Sequence, residues 1–301
     1  MASTTDGGRR DLRISFEFFP PKSSDMEDQL WATVADIAEW APEFVSVTYG
    51  AGGTTKAPTL NTVSRMIADT PLATASHLTC VSATKEETHR VVADFTAAGV
   101  RHFVALRGDA PGGVGAPYQP HPGGYENAAA LVAGLRDLGD FEISVSAYPE
   151  KHPESRDVAA DIDMLKRKAD NGADRALTQF FFDNDAFDRY MQGVRAAGIK
   201  IPVLPGIMPI QNLTQLKRFA GMCGTSIPSW LDKRFEGYDD KPEDRAKVAA
   251  DVAAEQIEDL VRRGFPEFHL YTMNRSALVG SVLERLGMKR TAVPRKAGAA
   301  A

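Results

Sequence analysis

The pattern of the stretch "ESRDVAADIDMLKRKADNGADRALTQFFF" (154–182) predicts one helix followed by one strand. In its first part Val158, Ile162 and Leu165 recur at spacings of four and three residues, which is typical of an amphipathic helix. Gly172 follows the last periodic residue, as expected where a helix ends. The second part, 175–182, is short, apolar and aromatic, which indicates a buried strand. The rest of the chain repeats this alternation.

Eight strand-like segments alternate with helical patterns along the chain. The predicted strands are 12–19, 44–50, 74–80, 101–108, 141–148, 175–182, 201–207 and 267–273. The predicted helices are 25–40, 57–69, 85–98, 126–138, 154–171, 184–197, 212–222, 242–264 and 275–287. Strands joined through helices pair in parallel with right-handed crossovers. Eight such units most simply close into an α/β fold of one domain, a (β/α)8 TIM barrel over 12–290.

A doubly wound open sheet is the alternative fold. It is disfavoured because no predicted strand is followed by GxGxxG or GxxxxGK[ST].

Two segments interrupt the alternation of strands and helices. The Gly/Pro-rich segment 108–125 follows the fourth strand and is either a ligand-binding loop or a solvent-exposed excursion. The segment 223–244 is predicted to be an insertion, and residues 1–11 and 291–301 are expected to be flexible tails.

Composition excludes several classes of function. The chain has 301 residues, 43% apolar residues and a net charge of −5, which gives no electrostatic reason to expect nucleic acid or an anionic membrane as partner. Cys80 and Cys223 lie far apart, and the six histidines show no HExxH spacing, so no metal site is expected. The first eleven residues lack an apolar secretory segment, which makes the cytoplasm the expected compartment.

Polar side chains lie near the carboxyl ends of all predicted strands except the seventh. They are Glu17, Thr48, Tyr49, His77, Thr79, Arg107, Asp109, Tyr148, Gln179, Asn274 and Arg275. A single such residue is more often a satisfied core group. In a barrel, however, the carboxyl ends of all strands meet at the catalytic face. The mixture of hydrogen-bond donors, acceptors and two arginine guanidinium groups indicates a large, flat, polar heterocyclic ligand.

Eight motifs occur in a specific order: "FEFFPPK", "SVTYGAGGTT", "HLTC", "LRGDAP", "SAYPEKHPES", "LKRKADNGADRALTQFFFD", "PGIMPI" and "FHLYTMNR". Together they resemble the catalytic domain of the methylenetetrahydrofolate reductase family over about residues 12–287. The resemblance implies a (β/α)8 barrel that holds FAD non-covalently. It also implies reduction of 5,10-methylenetetrahydrofolate to 5-methyltetrahydrofolate, with NADH or NADPH as co-substrate and two hydride transfers sharing one flavin.

The resemblance assigns residues to each ligand. The implied cofactor contacts are Thr48, His77, Arg107, Gly108, Asp109, Tyr125, Ala128, Tyr148, His152, Asp161, Arg167 and Lys168. Tyr125 and Ala128 depend on the register of the loop 110–128. The implied substrate contacts are Glu17, Asp109, Gln179, Gln215, Phe219 and Arg275. The chain departs from the family pattern at Met164, where a polar flavin contact is expected.

Glu17 and Asp109 are the implied catalytic residues. Opening of the folate imidazolidine ring needs a proton at the departing nitrogen, which Glu17 would donate. We expect burial against Phe16, Phe18 and Phe19 to keep this carboxyl protonated; from the residues alone, a salt bridge to an arginine is an equal alternative. Asp109 would stabilise the cationic iminium that ring opening produces.

Two other functions remain open at this stage. One is direct hydride transfer from nicotinamide to folate without flavin, and the other is a non-catalytic folate-binding subunit. The resemblance suggests a homodimer or homotetramer. The chain length leaves no room for an appended regulatory domain, so allosteric control by a methyl donor is not expected.

Overall fold

The computed structural model describes residues 12–50, 56–113 and 116–292, and within them eight parallel strands form a closed barrel. The strands are β1 Arg13–Phe18, β2 Val45–Val47, β3 Thr74–Thr79, β4 His102–Leu106, β5 Glu142–Ala147, β6 Arg175–Phe180, β7 Val203–Ile207 and β8 Glu267–Tyr271. Each strand pairs with its neighbour in the sequence, and β8 closes the barrel against β1, where Glu17 lies opposite Tyr271. The predicted barrel is confirmed, and the open sheet is excluded.

Ten helices surround the barrel in the described part of the chain. They are α1 Ser24–Ala38, α2 Lys56–Asp69, α3 Lys85–Ala97, α4 Ala128–Leu138, α5 Val158–Asp170, α6 Asn184–Ala196, α7 Leu213–Cys223, α8 Ser229–Phe235, α9 Pro242–Arg262 and α10 Ser276–Arg285. Helix α8 lies in the predicted insertion and was not expected. It is held by burial of Leu231 and Phe235. None of these helices combines the length and the hydropathy that a membrane span requires.

Strand alternation separates the side chains into two cores. Successive residues of a strand point to opposite faces, so one set faces the helices and the other faces the barrel interior. Phe16 and Phe18 belong to the outer core that the strands share with the helices. The interior holds a smaller apolar cluster of Phe44, Ala75, Val104, Leu177 and Leu204. Buried polar residues, among them Ser15, Glu17, Ser46, His77, His102 and His269, lie along the strands at both ends of the barrel.

A register shift lies between Leu177 and Phe180 where β6 meets β7. Gly206 fits closely against it, because a Cβ at this position would lie 2.2 Å from the carbonyl oxygen of Thr178. The Gly206 amide donates to Thr178 Oγ1 at 2.8 Å, and the Tyr271 hydroxyl donates to the Thr178 carbonyl at 2.9 Å. Such irregularities commonly redirect a side chain next to a site, here Gln179.

The turn after β8 is fixed in an uncommon conformation. Met273 and Asn274 have φ values of 51° and 54°, in the left-handed region that non-glycine residues rarely occupy. The Asn274 side chain accepts from the Phe19 amide at 2.9 Å and donates to the Phe19 carbonyl at 2.8 Å. These bonds tie the end of β8 to the end of β1 and fix where Arg275 leaves the barrel.

The predicted tails fall mostly outside the described residues. Residues 1–11 and 293–301 are not described. Thr291, which was expected to lie in the C-terminal tail, donates its backbone amide to the Glu39 carbonyl at 2.6 Å. Thr291 is therefore hydrogen-bonded to Glu39, the C-cap residue of α1.

Candidate active site

A cavity of about 440 Å³ opens at the carboxyl ends of β3, β4 and β5, beside the first turns of α4 and α5. We name it the β4–β5 cavity. It is lined by most of the predicted cofactor contacts: Arg107, Gly108, Asp109, Ala128, Tyr148, His152, Asp161, Arg167 and Lys168. Thr48 and His77 do not line it, although Tyr49 and Thr79, one and two residues further along the same strands, do. The structure thus brings together residues spread over about sixty positions of sequence.

Three cations lie along this cavity in different environments. Lys168 is 4% exposed, and its ammonium donates to the Ser146 carbonyl at 2.8 Å. Burial lowers the pKa of Lys168 to about 8, although Asp161 acts in the opposite direction. Arg107 pairs with Glu154 at 2.7 Å. Arg167 is half exposed and pairs weakly with a neighbouring carboxylate on the surface of α5.

Asp161 organises the turn between β5 and α5. Its carboxylate accepts from the His152 backbone amide at 2.8 Å and from the Ser155 hydroxyl. The His152 ring packs edge-on against Tyr148 with the ring centroids 4.7 Å apart. Burial lowers the pKa of His152, so its imidazole is neutral at pH 7. These contacts give the cavity one wall of fixed, largely uncharged donors and aromatic surface.

The predicted contact Tyr125 lies elsewhere. Its hydroxyl forms a hydrogen bond with His89 Nε2 at 2.8 Å and packs against Gly134 of α4. Asn127 lines the cavity instead, two residues further along the loop. Asn127 is the N-cap of α4, and its side chain accepts from the Ala130 amide at 3.1 Å. An N-cap signal before the apolar run of α4 was present in the sequence and would have located this residue.

Thr79 is a second residue that was not assigned to the cofactor. It lines the β4–β5 cavity, it is buried, and its hydroxyl has no hydrogen-bond partner among the described residues. A buried hydroxyl without a partner is costly. A polar ligand in the cavity would supply the missing bond, so this orphan favours an occupied rather than an empty site.

Glu17 belongs to a buried polar cluster beside this cavity. Its Oε2 atom lies 3.4 Å from His77 Nε2 and 3.7 Å from His269 Nε2. Ser46 Oγ lies 3.2 Å from His77 Nε2, and Ser15 Oγ lies 2.7 Å from His269 Nδ1. His77 and Thr79 are successive interior positions of β3, so the Glu17 cluster adjoins the cavity directly.

The expected burial of Glu17 against Phe16 and Phe18 is wrong. Phe16 and Phe18 occupy the outer face of β1, opposite to Glu17, because side chains alternate along a strand. No arginine pairs with Glu17 in the part of the chain that the structure describes, so the salt-bridge alternative is absent as well. Burial lowers the pKa of His77 despite the opposing effect of Glu17, and a neutral imidazole presents no fixed positive charge to the carboxyl.

A second cavity, of about 510 Å³, lies at the carboxyl ends of β7 and β8, and we name it the β7–β8 cavity. Three predicted substrate contacts line it: Gln215, Phe219 and Arg275. Phe219 is 39% exposed and stacks on Phe180 with a centroid distance of 5.4 Å. Gln179 does not line this cavity; its side-chain oxygen accepts from the Phe180 amide at 3.0 Å.

Comparison with known proteins identifies one family. The family model described as methylenetetrahydrofolate reductase matches residues 4–287. The 5,10-methylenetetrahydrofolate reductase of Escherichia coli is 42% identical over 278 residues, which cover 92% of this chain and 92% of that protein. The Arabidopsis thaliana protein named methylenetetrahydrofolate reductase (NADH) 1 is 35% identical over 96% of this chain and 50% of its own length.

A solved structure from Clostridium thermocellum shares the fold. That protein, described as binding two copies of 5-methyl-5,6,7,8-tetrahydrofolic acid, superposes with a TM-score of 0.63 over 91% of this chain and 93% of its own. The sequence identity is 15%, so the likeness concerns the barrel architecture alone.

Proposed function

The chain belongs to the methylenetetrahydrofolate reductase family, and from this membership we propose that it reduces 5,10-methylenetetrahydrofolate with NAD(P)H by way of bound FAD. The observation that carries the proposal is a cation-lined polar cavity beside a buried carboxyl at one face of the barrel. NADH is the proposed donor because the Arabidopsis relative is named for it. Folate as ligand agrees with the description of the Clostridium thermocellum neighbour.

The residues of the β4–β5 cavity fit FAD. Arg107, Arg167 and Lys168 supply positive charge for a pyrophosphate, which is the usual role of such cations. The orphan hydroxyl of Thr79 and the Asn127 side chain offer polar contacts to a ring system or a ribityl chain. Met164 also lines this cavity, at a position where the family pattern suggests a polar contact, so it would contribute packing only.

The chemistry that FAD supplies when bound is hydride transfer, from a reduced nicotinamide in one half-reaction and to the folate in the other. The protein supplies orientation and protons. Asp109 follows Gly108 at the end of β4 and lines the same cavity. We assign it to electrostatic stabilisation of the cationic folate iminium, as a carboxylate near developing positive charge lowers the barrier.

Glu17 is the proposed general acid. Its carboxyl proton passes to the departing nitrogen of the imidazolidine ring, the carbon–nitrogen bond breaks, and the other nitrogen becomes an iminium. FAD, when bound, would supply the hydride for the exocyclic carbon. His77 and His269 hold the carboxyl on one side, and Ser46 lies between the two imidazoles. This chain of donors and acceptors fixes the carboxyl and offers a path by which Glu17 regains its proton.

The β7–β8 cavity is the proposed site for the rest of the folate. Phe219 offers an exposed aromatic face, and Gln215 offers an amide with both a donor and an acceptor. Arg275 carries a guanidinium suited to a carboxylate. Gln179, at the irregularity of β6, would contact the pterin between the two cavities.

Two observations weigh against the alternative functions. A flavin-independent reductase has no use for a buried lysine and two arginines along a cavity of this size. A non-catalytic folate-binding subunit does not require a buried carboxyl beside two buried imidazoles, because removing an ionisable group from water is costly.

The proposal is tested by three measurements on the purified protein. We expect visible absorption bands of bound flavin, NADH oxidation with menadione as acceptor, and anaerobic formation of 5-methyltetrahydrofolate. A colourless protein that still reduces the folate would support flavin-independent transfer. A protein that binds the folate but oxidises no NADH with either acceptor would support the non-catalytic alternative.

A further inference from the structure

A serine and a histidine face each other in the barrel interior, next to Glu17. Ser15 and His269 are register partners on β1 and β8, and both are fully buried. Ser15 Oγ lies 2.7 Å from His269 Nδ1, and the same hydroxyl donates to the Phe268 carbonyl at 3.2 Å. Glu17 follows two residues after Ser15, so its side chain lies on the same interior face of β1.

The hydroxyl hydrogen of Ser15 decides which nitrogen of His269 carries the ring proton. A serine hydroxyl has one hydrogen to donate and two lone pairs that accept. Because this hydrogen is directed to the Phe268 carbonyl, the short contact with His269 requires the imidazole to donate from Nδ1. In a neutral imidazole the other nitrogen then has no hydrogen and is an acceptor. Nε2 of His269 therefore carries a lone pair.

Packing fixes the direction of this lone pair. The ring of His269 stacks on Phe44 with the centroids 5.7 Å apart and an angle of 16° between the planes, and it packs edge-on against Tyr271. Nε2 consequently faces Ser46 Oγ at 3.5 Å and Glu17 Oε2 at 3.7 Å. Two acceptor atoms that face each other repel, unless one of them carries a proton.

We infer that Ser15 is a positioning residue that keeps Glu17 in its acid form. It acts through His269: by holding the imidazole proton on Nδ1, it presents the Nε2 lone pair to the Glu17 carboxyl and disfavours the ionised carboxylate. This rests on the proposed function, in which Glu17 donates a proton. It also gives a reason for the protonated carboxyl that Phe16 and Phe18, on the outer face of β1, do not give.

The other groups that face Glu17 lie on β2, β3 and β8. His77 Nε2 lies 3.4 Å from Glu17 Oε2, and burial lowers the pKa of this histidine. Ser46 Oγ contacts both imidazoles. The Tyr271 hydroxyl donates to the Thr178 carbonyl at 2.9 Å and is thus directed elsewhere. Neither Tyr271 nor a neutral His77 supplies a positive charge that would hold Glu17 ionised.

Nitrogen NMR tests the tautomer directly. Long-range proton–nitrogen correlation spectra of protein labelled with ¹⁵N-histidine show which ring nitrogen carries the proton, at about pH 8, where an ordinary histidine is neutral. The signals of His269 are identified by their loss in His269→Gln. In the wild type the proton should lie on Nδ1. In Ser15→Ala it should move at least in part to Nε2, because the acceptor for Nδ1 is gone. A proton on Nε2 in the wild type, or no change in Ser15→Ala, would overturn the inference.

Anaerobic stopped-flow kinetics as a function of pH measure the effect on Glu17. In Ser15→Ala a hydrogen on His269 Nε2 would stabilise the Glu17 carboxylate. The pH at which flavin reoxidation by methylenetetrahydrofolate falls to half its maximum should therefore drop by about one unit, the effect of one hydrogen bond. Flavin reduction by NADH should stay within about two-fold of the wild-type rate, since that step needs no proton from Glu17.

Ser144→Ala is the matched control. Ser144 on β5 is also fully buried, and its hydroxyl contacts a buried histidine, with 2.8 Å between Ser144 Oγ and His102 Nε2. Within the described ranges His102 forms no ion pair with Glu17, so the pH profile of this variant should equal that of the wild type.

Two kinetic results would overturn the inference: a wild-type pH profile in Ser15→Ala, or an equal shift in Ser144→Ala, which would assign the effect to lost interior packing. Absence of folate reduction by the wild type at every pH would instead overturn the proposed function, and the NMR spectra would still decide the tautomer of His269.

Discussion

At the scale of single residues, burial sets the charges in the proposed site more than ion pairing does. Lys168 is enclosed and has no direct carboxylate partner among the residues that the structure describes, and burial shifts its pKa to about 8. His77 is enclosed next to Glu17, and burial lowers its pKa although the carboxylate acts against this. Groups whose pKa values are shifted by burial and by a specific charged neighbour are typical of functional sites.

From the lowered pKa of Lys168 we predict that FAD affinity depends on pH. Its pKa is about 8 in the folded protein against an ordinary 10.5, so between these values the unfolded chain holds the proton and the folded chain does not. The contribution of Lys168 to the free energy of unfolding thus rises with pH in this window. Over the same window the cavity loses a positive charge, and FAD affinity should fall about ten-fold between pH 7 and pH 9.

Fluorescence titration of the flavin-free protein measures this dependence. Lys168→Met should bind FAD more weakly at pH 7 and show no such decline. A decline of the same size in Lys168→Met would assign the effect to another group.

The predictions made from the sequence were least accurate for the contacts of single residues. The three phenylalanines around Glu17 suggested an aromatic surround, yet strand alternation alone sends Phe16 and Phe18 to the opposite face. The histidines that do contact Glu17 are 60 and 252 positions away. Only the closure of the barrel brings them together, so pattern reasoning within one segment could not identify them.

At the scale of elements, the join between β6 and β7 is irregular between Leu177 and Phe180, in the segment that contains Gln179. Gly206 allows the two strands to approach so closely that no Cβ fits against the Thr178 carbonyl. Thr178 accepts from both β7 and β8 at this point. The glycine is therefore required by backbone proximity rather than by its φ angle.

Gly206→Ala should lower the free energy of unfolding by about 1–3 kcal/mol, the usual cost of overpacking a core. It should also raise the KM for the folate, because Gln179 would move with the displaced strand. Urea denaturation and steady-state kinetics measure the two effects. Gly221→Ala in α7 is the control, since a Cβ there meets nothing within 4 Å. That change should stabilise the protein by about 0.5–1 kcal/mol. A Gly206→Ala variant as stable as the wild type would contradict this account of the β6–β7 join.

The elements themselves were largely predictable. Each strand was located to within three residues at either end, since buried strands between amphipathic helices give a clear periodicity. Helix α8 was missed because seven residues are too few for a periodic pattern, and it is stabilised by tertiary burial of Leu231 and Phe235. The predicted start of α4 at residue 126 lies two residues before the observed start at Ala128, because Asn127 is the N-cap of the helix.

At the scale of the whole molecule, the barrel presents two cavities on one face with the Glu17 cluster beside them. The number and order of the elements were enough to predict this closed fold. Most of the predicted contacts line the two cavities, but the depth of the cavities and the contributions of Thr79 and Asn127 were not predicted, because they depend on how strands and loops far apart in sequence pack together. The expected homodimer or homotetramer remains a prediction.

Flavin binding should stabilise the whole barrel. The β4–β5 cavity joins β3, β4 and β5 to α4 and α5, so a ligand there stabilises the folded state only. At a hundred-fold excess over Kd the gain is about 2.7 kcal/mol. Removing FAD should accordingly lower Tm by several degrees in a thermal scan. Riboflavin, which lacks the pyrophosphate, should restore much less of the stability than FAD. Equal stabilisation by both would contradict the role of Arg107, Arg167 and Lys168.

The most direct test of the central claim is anaerobic stopped-flow kinetics of Glu17→Gln, with the two half-reactions followed separately through flavin absorbance. If Glu17 donates the proton for ring opening, flavin reduction by NADH should proceed within about two-fold of the wild-type rate. Flavin reoxidation by methylenetetrahydrofolate should slow by about 10²–10⁴-fold, the usual contribution of a general acid. An equal loss in both half-reactions, or an unchanged folate step, would contradict the account.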